Sequence, residues 1–343
     1  MTSTAPGSPA NSGVTAARRE RFAADLARLW PESLDRGARL GLAVSGGPDS
    51  LALLLLARAA LPGRIEAATI DHGLRPESAV EAAMVAAACR DLGVRHEVIA
   101  VTVAPGNLQS RARSARYEAL GRWLARRSLQ AIATAHHADD QAETLLMRLN
   151  RGSGLAGLAG VRERGLVPGA EAALLRPLLS WRKTELAALV AAAGLAPVRD
   201  PSNEDPRFDR ARLRAVLAQA DWLDPMAIAR SAALLGEAEQ ALAWAIGREW
   251  AEAVEPVGGG FCYWPHRSGA PGERRALVIG VVQRVLTTMS AHPRESETAR
   301  LVDRLLGGGG GNLAGVQARA EGRGVEKGGA GIVWRFAPEN PRR

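Results

Sequence analysis

The sequence predicts an α/β protein: an open, doubly wound and mostly parallel sheet, followed by a helical domain and a small C-terminal α+β segment. In the first half of the chain, four short apolar runs alternate with longer stretches of helical pattern, which is typical of βαβ units. Right-handed crossovers then favour an open sheet with helices on both faces. From about residue 212 to 255 the chain is rich in Ala, Leu and Arg and lacks strand-like runs, which indicates helices.

The elements follow in a regular order along the chain. The predicted strands are residues 39–44, 65–70, 97–103 and 131–135, and the helices among them are 51–61, 77–92, 109–127 and a helix from about 139 to 149. A Gly-rich stretch at 151–169 is predicted as a mobile loop, and 181–193 as a helix. Further helices are predicted at 273–289 and 295–306, and a short β pair at 314–320 and 331–336. We expect a disordered leader at 1–17, an α/β domain at 18–215, a helical domain at 216–290 and a small segment at 291–343.

Composition narrows the class of protein. The chain has 343 residues, of which 47% are hydrophobic and 23% charged, so it is globular rather than disordered or fibrous. Its two cysteines exclude a disulfide scaffold and a four-cysteine metal site. Residues 1–17 lack the features of a secretory signal, and the longest apolar run, 51–57, is far shorter than the roughly 20 residues that span a bilayer. We therefore expect a soluble, cytoplasmic protein with no membrane partner.

The charge balance favours a polyanionic partner. Lys and Arg number 44 against 36 Asp and Glu, which gives a net charge of +8. Such an excess suits RNA or nucleotide phosphates. Nearly all the basic residues are arginines, so a compositional bias explains the excess equally well.

Six residues between the first predicted strand and helix carry the strongest signal: Ser45, Gly46, Gly47, Pro48, Asp49 and Ser50. The glycines let the backbone turn sharply and approach a phosphate, and proline suits the first position of a helix. The N–H groups of that helix then face an anion. A carboxylate beside phosphates needs a bridging cation, which points to Mg²⁺ held by Asp49. The loop has neither the Walker A nor the dinucleotide-binding pattern, and its alternative is an ordinary Gly-rich turn.

This loop resembles the pyrophosphate-binding loop of the ATP-pyrophosphatases, which activate a substrate by adenylation. Further segments resemble the tRNA(Ile)-lysidine synthetases in order and spacing: 71–75 (DHGLR), 112–113 (AR), 115–117 (ARY), 136–144 (HHADDQAET), 151–155 (RGSGL), 176–179 (RPLL) and 200–203 (DPSN). The resemblance is strong over residues 38–215 and weaker at 305–316. It implies an adenine-nucleotide-hydrolase-like fold, with an ATP-pyrophosphatase catalytic domain at 18–215.

The resemblance also implies an activity. These enzymes use ATP, with Mg²⁺, to adenylate the C2 oxygen of the wobble cytidine in tRNA(Ile) with a CAU anticodon. The ε-amine of free lysine then displaces AMP and lysidine forms. The expected partners are that tRNA and L-lysine, and the oligomeric state stays open, a homodimer included.

Residues at the strand ends are expected to line the nucleotide site. The loop at 45–50 would bind ATP, with Asp71, His72 and His136 beside it. Taken alone, Asp71 and His72 are equally well a turn before a helix. His136 and His137 have no third ligand at zinc spacing, so a polar rim around the nucleotide is the better interpretation.

Two adjacent carboxylates, Asp139 and Asp140, open a predicted helix. They stabilise a helix N-terminus and can also bind Mg²⁺ or an ammonium group. Plain helix capping is the alternative. With the resemblance, we predict that one of them holds the lysine ammonium and that both, like Asp49, are catalytic.

Two arginine clusters are predicted to contact tRNA phosphates: Arg111, Arg113 and Arg116 on the helix at 109–127, and Arg207, Arg210 and Arg212 after the 200–203 motif. Arg113 and Arg116 lie one turn apart on one face, and Arg113 is also predicted to be catalytic. The alternatives are a solvated face or a role toward the leaving pyrophosphate.

Three rival functions share the loop. A tRNA-thiolating enzyme generally recruits cysteine pairs, and neither Cys89 nor Cys262 lies in a C-x-x-C pair. An amide-forming ligase of the NAD- or GMP-synthetase kind lacks the HHADDQ run and the arginine-rich helix. A non-catalytic nucleotide- or RNA-binding module stays open at this point, and turnover is the observation that separates it from an enzyme.

Overall fold

The computed structural model describes residues 13–35, 37–73, 77–102, 108–198, 207, 209–266, 270–326 and 329–339. The chain divides into two compact units: the first runs to Leu234 except for Gly154–Ala156, and the second comprises those three residues and Leu235–Arg343. The motif at 200–203, residues 74 and 75 of the DHGLR segment, and residues 1–12 of the predicted leader lie outside the described residues. No helix in the described ranges is long and apolar enough to cross a membrane.

A six-stranded sheet forms the centre of the first unit, in the order β3-β2-β1-β4-β6-β5. Its strands are β1 (Leu40–Ala43), β2 (Ile65–Asp71), β3 (Arg95–Ala100), β4 (Ala131–Ala133), β5 (Arg164–Leu166) and β6 (Ala173–Leu175). All neighbours pair in parallel except β5 and β6, which are antiparallel. The predicted mostly parallel sheet is therefore confirmed.

The helices along this part of the chain are α1 (Ala16–Leu29), α2 (Pro48–Ala60), α3 (Glu77–Asp91), α4 (Leu108–Arg127), α5 (Ala138–Asn150), α6 (Leu155–Leu158), α7 (Lys183–Ala192), α8 (Asp209–Gln219) and α9 (Pro225–Ala253). Helix α9 begins in the first unit and continues into the second. Residues 50–57 of α2 are all buried, as expected for the central helix of a doubly wound fold. Helix α1 begins at Ala16 with Thr15 as its cap, so the last two residues of the predicted leader are helical.

The structure corrects the prediction for residues 151–169. The sequence indicates a mobile loop at 151–169, whereas α6 and β5 lie within that stretch and β6 follows it. The two strands have three residues each, too few for an alternation of apolar and polar residues to be recognised. Strand β6 matters for the site because its parallel pairing with β4 brings Arg176 to the carboxyl edge of the sheet.

The second unit contains α10 (Arg275–Thr288), α11 (Glu295–Leu306) and a five-stranded antiparallel sheet in the order β7-β8-β11-β10-β9. The strands are β7 (Val254–Val257), β8 (Gly260–Tyr263), β9 (Gly310–Leu313), β10 (Val316–Glu326) and β11 (Gly329–Pro338). The predicted β pair is confirmed as β10 and β11. The other three strands were not predicted, since they are four residues long and two of them, β8 and β9, begin at the end of a glycine run that indicates a turn.

Candidate active site

The predicted site residues follow neighbouring strands of the parallel sheet. The loop at 45–50 follows β1, Asp71 and His72 stand at the end of β2, and His136 follows β4. Since β2, β1 and β4 are adjacent and parallel, these residues share one edge of the sheet. Ligands of open α/β sheets bind at this edge.

The loop at 45–50 is closed by its own last residue. Ser50 Oγ accepts hydrogen bonds from Ser45 N (3.2 Å) and Gly46 N (3.1 Å) and donates one to Gly47 O (2.9 Å). Gly46 has φ +89°, and a Cβ there would lie 2.9 Å from Val198 Cγ2, so only glycine fits. The hydroxyl of Ser50 therefore holds the loop in shape.

The N-terminus of α2 is left without a side-chain cap. Gly47 stands at the cap position, where no side chain accepts from the first N–H groups, and Pro48 is the first helical residue. Uncapped N–H groups and the helix dipole together attract an anion. This local geometry is what the sequence predicts for a phosphate cradle.

Asp49 fits a cation site. Its Oδ1 is buried and has no hydrogen-bond partner among the described residues, while its Oδ2 lies 3.5 Å from His137 Nε2. The described residues contain no group of three or more His, Cys, Asp or Glu that could hold a metal alone. One carboxylate is enough as the protein ligand of a Mg²⁺ ion whose other ligands are phosphates and waters.

His137, which the sequence analysis placed with His136 in a polar rim around the nucleotide, lies among three carboxylates. It is the N-cap of α5: in the neutral ring its Nδ1 accepts from Asp140 N (3.3 Å), and its backbone N–H donates to Asp140 Oδ2 (3.2 Å). Burial by itself lowers the pKa of His137, but the Asp49 hydrogen bond and the charges of Asp140, Asp49 and Asp139 outweigh it, so the pKa is raised. The imidazole thus joins the phosphate loop to the start of α5.

We expect His137→Asn to alter how stability depends on pH. Asn still caps a helix but carries no charge. A raised folded pKa means that the charged imidazole stabilises the fold below the unfolded value near 6.5 and that this contribution is lost as pH rises through the folded value. The advantage of the wild type over the variant should therefore shrink as pH rises from the unfolded value near 6.5 through the folded value. Urea unfolding across this range measures it, and parallel curves would contradict the assignment.

The two adjacent aspartates have different partners. Asp139 Oδ2 accepts from Lys183 N (2.8 Å), and its carboxylate lies 3.3 Å from the guanidinium of Arg182. Burial by itself raises the pKa of Asp139. The hydrogen bonds from Lys183 N and Arg182 and the charges of Arg182 and His137 together outweigh burial, so the pKa is lowered. Asp139 therefore ties the start of α5 to the start of α7.

Asp140 faces the arginines of α8 instead. Its Oδ1 lies 3.3 Å from Arg210 Nη2, and its Oδ2 lies 3.5 Å from His137 Nε2. Both carboxylates thus contact His137, but the guanidinium beside Asp140 belongs to α8, whereas the one beside Asp139 stands at the start of α7.

Glu143 is a further site residue that the sequence analysis missed. It lies one helical turn after Asp140, and its buried carboxylate pairs with Arg210 Nε (2.7 Å) and Arg214 Nε (2.8 Å). Burial raises the pKa of Glu143, but the hydrogen bonds and charges of the two arginines outweigh this effect and lower it. The spacing from Asp140 was visible in the sequence, but its arginine partners, about seventy residues away, were not.

We expect Glu143→Gln to lower the free energy of unfolding by about 2 kcal/mol at pH 7. Glutamine keeps the shape but removes the charge that two guanidinium groups share. Because the folded pKa is lowered, the ionised form stabilises the fold above the unfolded value near 4.5 and loses this effect as pH falls through the folded value. Wild type and variant should therefore converge in acid.

Glu118→Gln is the matched control, because Glu118 pairs with Arg122 on the exposed surface of α4. Its loss should cost less than about 0.5 kcal/mol. Equal effects of the two substitutions in urea unfolding would contradict the role given to Glu143.

The arginines predicted to contact tRNA fall into two groups. Arg111 and Arg113 are exposed on α4, and Arg116 is half-buried. The guanidinium carbons of Arg113 and Arg116 lie 5.0 and 5.1 Å from the ring centroid of the buried Tyr117. In the second group, Arg207 is exposed, Arg212 pairs with Asp209, and Arg210 contacts the carboxylates of α5. The structure thus brings Arg210, but not Arg212, to the acidic residues.

The two predicted histidines are neutral at physiological pH. Burial and then the charge of Arg116 lower the pKa of His72. Burial lowers the pKa of His136 to about 4, aided by Arg176, Arg116 and Arg210 and opposed by Asp140. Neutral imidazoles suit a nucleotide pocket because each ring offers one donor and one acceptor.

Comparison with known proteins agrees with this geometry. The phosphate loop at the end of β1 and the parallel sheet define a PP-loop nucleotide-binding protein, and the profile of the PP-loop domain matches residues 18–220. A tRNA(Ile)-lysidine synthase of Novosphingobium aromaticivorans is 48% identical over 325 residues, 93% of this chain and 94% of that protein. One of Hyphomonas neptunium is 37% identical over 297 residues, 84% of this chain and 79% of that protein. The chain belongs to the tRNA(Ile)-lysidine synthase family.

A solved structure supports the fold. The U34-tRNA thiolase of Methanococcus maripaludis, solved with its [4Fe-4S] cluster, has a TM-score of 0.51 and 16% identity over 64% of this chain and 79% of that chain. At this identity the likeness concerns the fold alone. In the present chain both cysteines are buried, and burial raises the pKa of Cys89 to about 12, so its thiol is not poised to react.

Proposed function

We propose that this chain is a carbon–nitrogen ligase that joins free lysine to C2 of the wobble cytidine of tRNA(Ile) with a CAU anticodon. One observation carries the proposal: His137 Nε2 lies 3.5 Å from both Asp49 Oδ2 and Asp140 Oδ2, so the phosphate loop and an acidic site share one imidazole. A site that activates with ATP thus adjoins a site suited to an ammonium group. The names of the relatives, tRNA(Ile)-lysidine synthase, support the same reaction.

In the first step the cytidine O2 attacks the α-phosphorus of ATP and pyrophosphate leaves. The N–H groups at the start of α2 bind the phosphate charge, and the loop closed by Ser50 fixes their position. Asp49 would hold Mg²⁺, which neutralises charge on the phosphates when bound.

In the second step the lysine ε-nitrogen bonds to C2, the C2–O bond breaks, and AMP leaves with the oxygen. Lysine arrives as an ammonium with a pKa near 10.4, so it must be captured and then lose a proton before it attacks. We assign the capture to Asp140, because its Oδ2 and Asp49 Oδ2 both lie 3.5 Å from His137 Nε2, whereas Asp139 Oδ2 already accepts from Lys183 N. Asp140 orients the amine and accepts or relays its proton.

The tRNA would approach over the arginines of α4. We expect the double substitution Arg113→Ala, Arg116→Ala to weaken tRNA binding and to reduce the slope of log affinity against log salt by about 2, since each lost phosphate contact removes nearly one unit. Binding is measured at several concentrations from about 50 to 300 mM salt, so that the slope can be fitted. An unchanged slope would mean that these arginines serve the nucleotide or the fold.

The experiment that tests the function is transfer of labelled lysine into bacterial tRNA in the presence of ATP. Label retained in the tRNA supports the ligase, and ATP or tRNA binding without turnover supports a non-catalytic module. With tRNA as substrate, the reaction is expected in the cytoplasm. A homodimer stays a prediction, which sedimentation of the purified chain tests.

A further inference from the structure

A second group of unsatisfied polar atoms lies beside the site, at the ends of β4 and β6. Arg176 directly follows β6 and is only 7% exposed, yet its Nε has no hydrogen-bond partner among the described residues. The hydroxyl of Tyr117, a residue that is 1% exposed, is likewise buried: its oxygen lies beside the Arg176 guanidinium, and its proton has no acceptor among the described residues. Buried polar groups in folded proteins are nearly always hydrogen-bonded, so two such groups call for a ligand.

The surroundings of these atoms are positively charged. The guanidinium of Arg113 flanks the Tyr117 ring from the exposed face of α4, and Arg116 lies at a similar distance. Burial lowers the pKa of Arg176, Tyr117 opposes this, and the nearby charge of Arg113 lowers it further. The described contacts of the Arg176 side chain go to a backbone oxygen, Arg162 O, and to the Tyr117 hydroxyl, and none goes to a carboxylate. A buried guanidinium without a carboxylate, beside two more arginines, is suited to an anion.

We propose that Arg176, Tyr117 and Arg113 form a second phosphate-binding site, separate from the loop at 45–50. Strand β4 lies between β1, which carries the loop, and β6, which carries Arg176, so the two sites flank one strand end. Arg176 Nε and the Tyr117 hydroxyl donate to phosphate oxygens at the floor, and Arg113 closes the exposed side. This inference rests on the proposed function, which supplies two sources of phosphate: ATP and the backbone of the target tRNA.

The test uses the full chain with two substitutions. Arg176→Met removes the charge at similar volume, and Tyr117→Phe keeps the ring but removes the unsatisfied hydroxyl. The control is Arg90→Met, because Arg90 is an exposed arginine near the end of α3, at the opposite edge of the sheet. For each variant we would measure affinity for a non-hydrolysable ATP analogue without tRNA, affinity for tRNA without ATP at several salt concentrations, and the thermal midpoint.

We expect Arg176→Met to weaken one ligand by at least about tenfold and Tyr117→Phe to weaken the same ligand by a few-fold. Loss of analogue binding with unchanged tRNA binding identifies an ATP phosphate. Loss of tRNA binding, with a salt slope smaller by about 1, identifies a backbone phosphate. Unchanged affinities in a folded Arg176→Met variant would overturn the proposal. If that variant does not fold, unchanged affinities in Tyr117→Phe would overturn it.

Lysine transfer by the wild type is measured alongside. If the wild type transfers lysine and the variants bind both ligands normally, the phosphate site alone is wrong. If the wild type transfers no lysine, the proposed function fails, whatever the variants bind.

Discussion

Asp49→Asn is expected to abolish pyrophosphate release, with a fall on the order of a thousandfold in the rate of adenylation. The side chain stands in the phosphate loop with one buried oxygen that has no partner among the described residues. Asparagine keeps the shape but loses the charge that a cation on the phosphates requires. The nearest described charged partner of Asp49, His137, is 3.5 Å away, so the fold should lose little from the substitution.

The measurement pairs tRNA-dependent pyrophosphate release with urea unfolding. Asp91→Asn serves as the control, because it makes the same chemical change at an exposed position near the end of α3. The control should keep wild-type turnover. Near-normal turnover in Asp49→Asn would remove Asp49 from the mechanism.

Asp140→Asn is expected to raise the KM for lysine by roughly 10- to 100-fold while the adenylation step changes much less. The amide oxygen can still accept from the backbone N–H of His137, so the start of α5 is preserved. The substitution removes the negative charge that captures the ammonium. Arginine should not replace lysine as a substrate in either protein, since its guanidinium stays protonated.

Asp139→Asn provides the comparison. Its carboxylate joins α5 to α7 through Lys183 N and Arg182, so we expect lower stability and a similar loss in both steps. Pyrophosphate exchange with tRNA, run beside lysine incorporation, separates the two steps. If pyrophosphate exchange and lysine incorporation fall equally in the two variants, the aspartates serve Mg²⁺ and ATP, and the lysine assignment is wrong.

The parts of the site that could be predicted are those encoded locally. The loop at 45–50 was recognisable because its glycines, proline and serines are contiguous and lie between an apolar run and a helical pattern. The first four strands were found because each is bounded by turn residues and alternates with a helix. Once β1, β2 and β4 were in order, parallel pairing was enough to bring His72 and His136 to the edge that carries the loop.

The rest depended on contacts between distant segments. Arg210 looked like an exposed RNA contact, and its pairing with Glu143, 67 residues away, has no local signature. The three-residue strand β6 is too short to show a period, so the place of Arg176 at the sheet edge was not predictable. These contacts are buried only once the chain has folded, so no local pattern in the sequence indicates them.

Lysine incorporation into two tRNA(Ile) transcripts, identical except for a CAU or a GAU anticodon, tests the central claim most directly. The purified chain is incubated with ATP, Mg²⁺ and labelled lysine, and AMP and pyrophosphate are counted with the label. We predict label in the CAU transcript alone, strictly dependent on ATP, with one AMP and one pyrophosphate released for each lysine bound. No label in the CAU transcript with a folded, ATP-binding chain, or equal label in both transcripts, would contradict the claim.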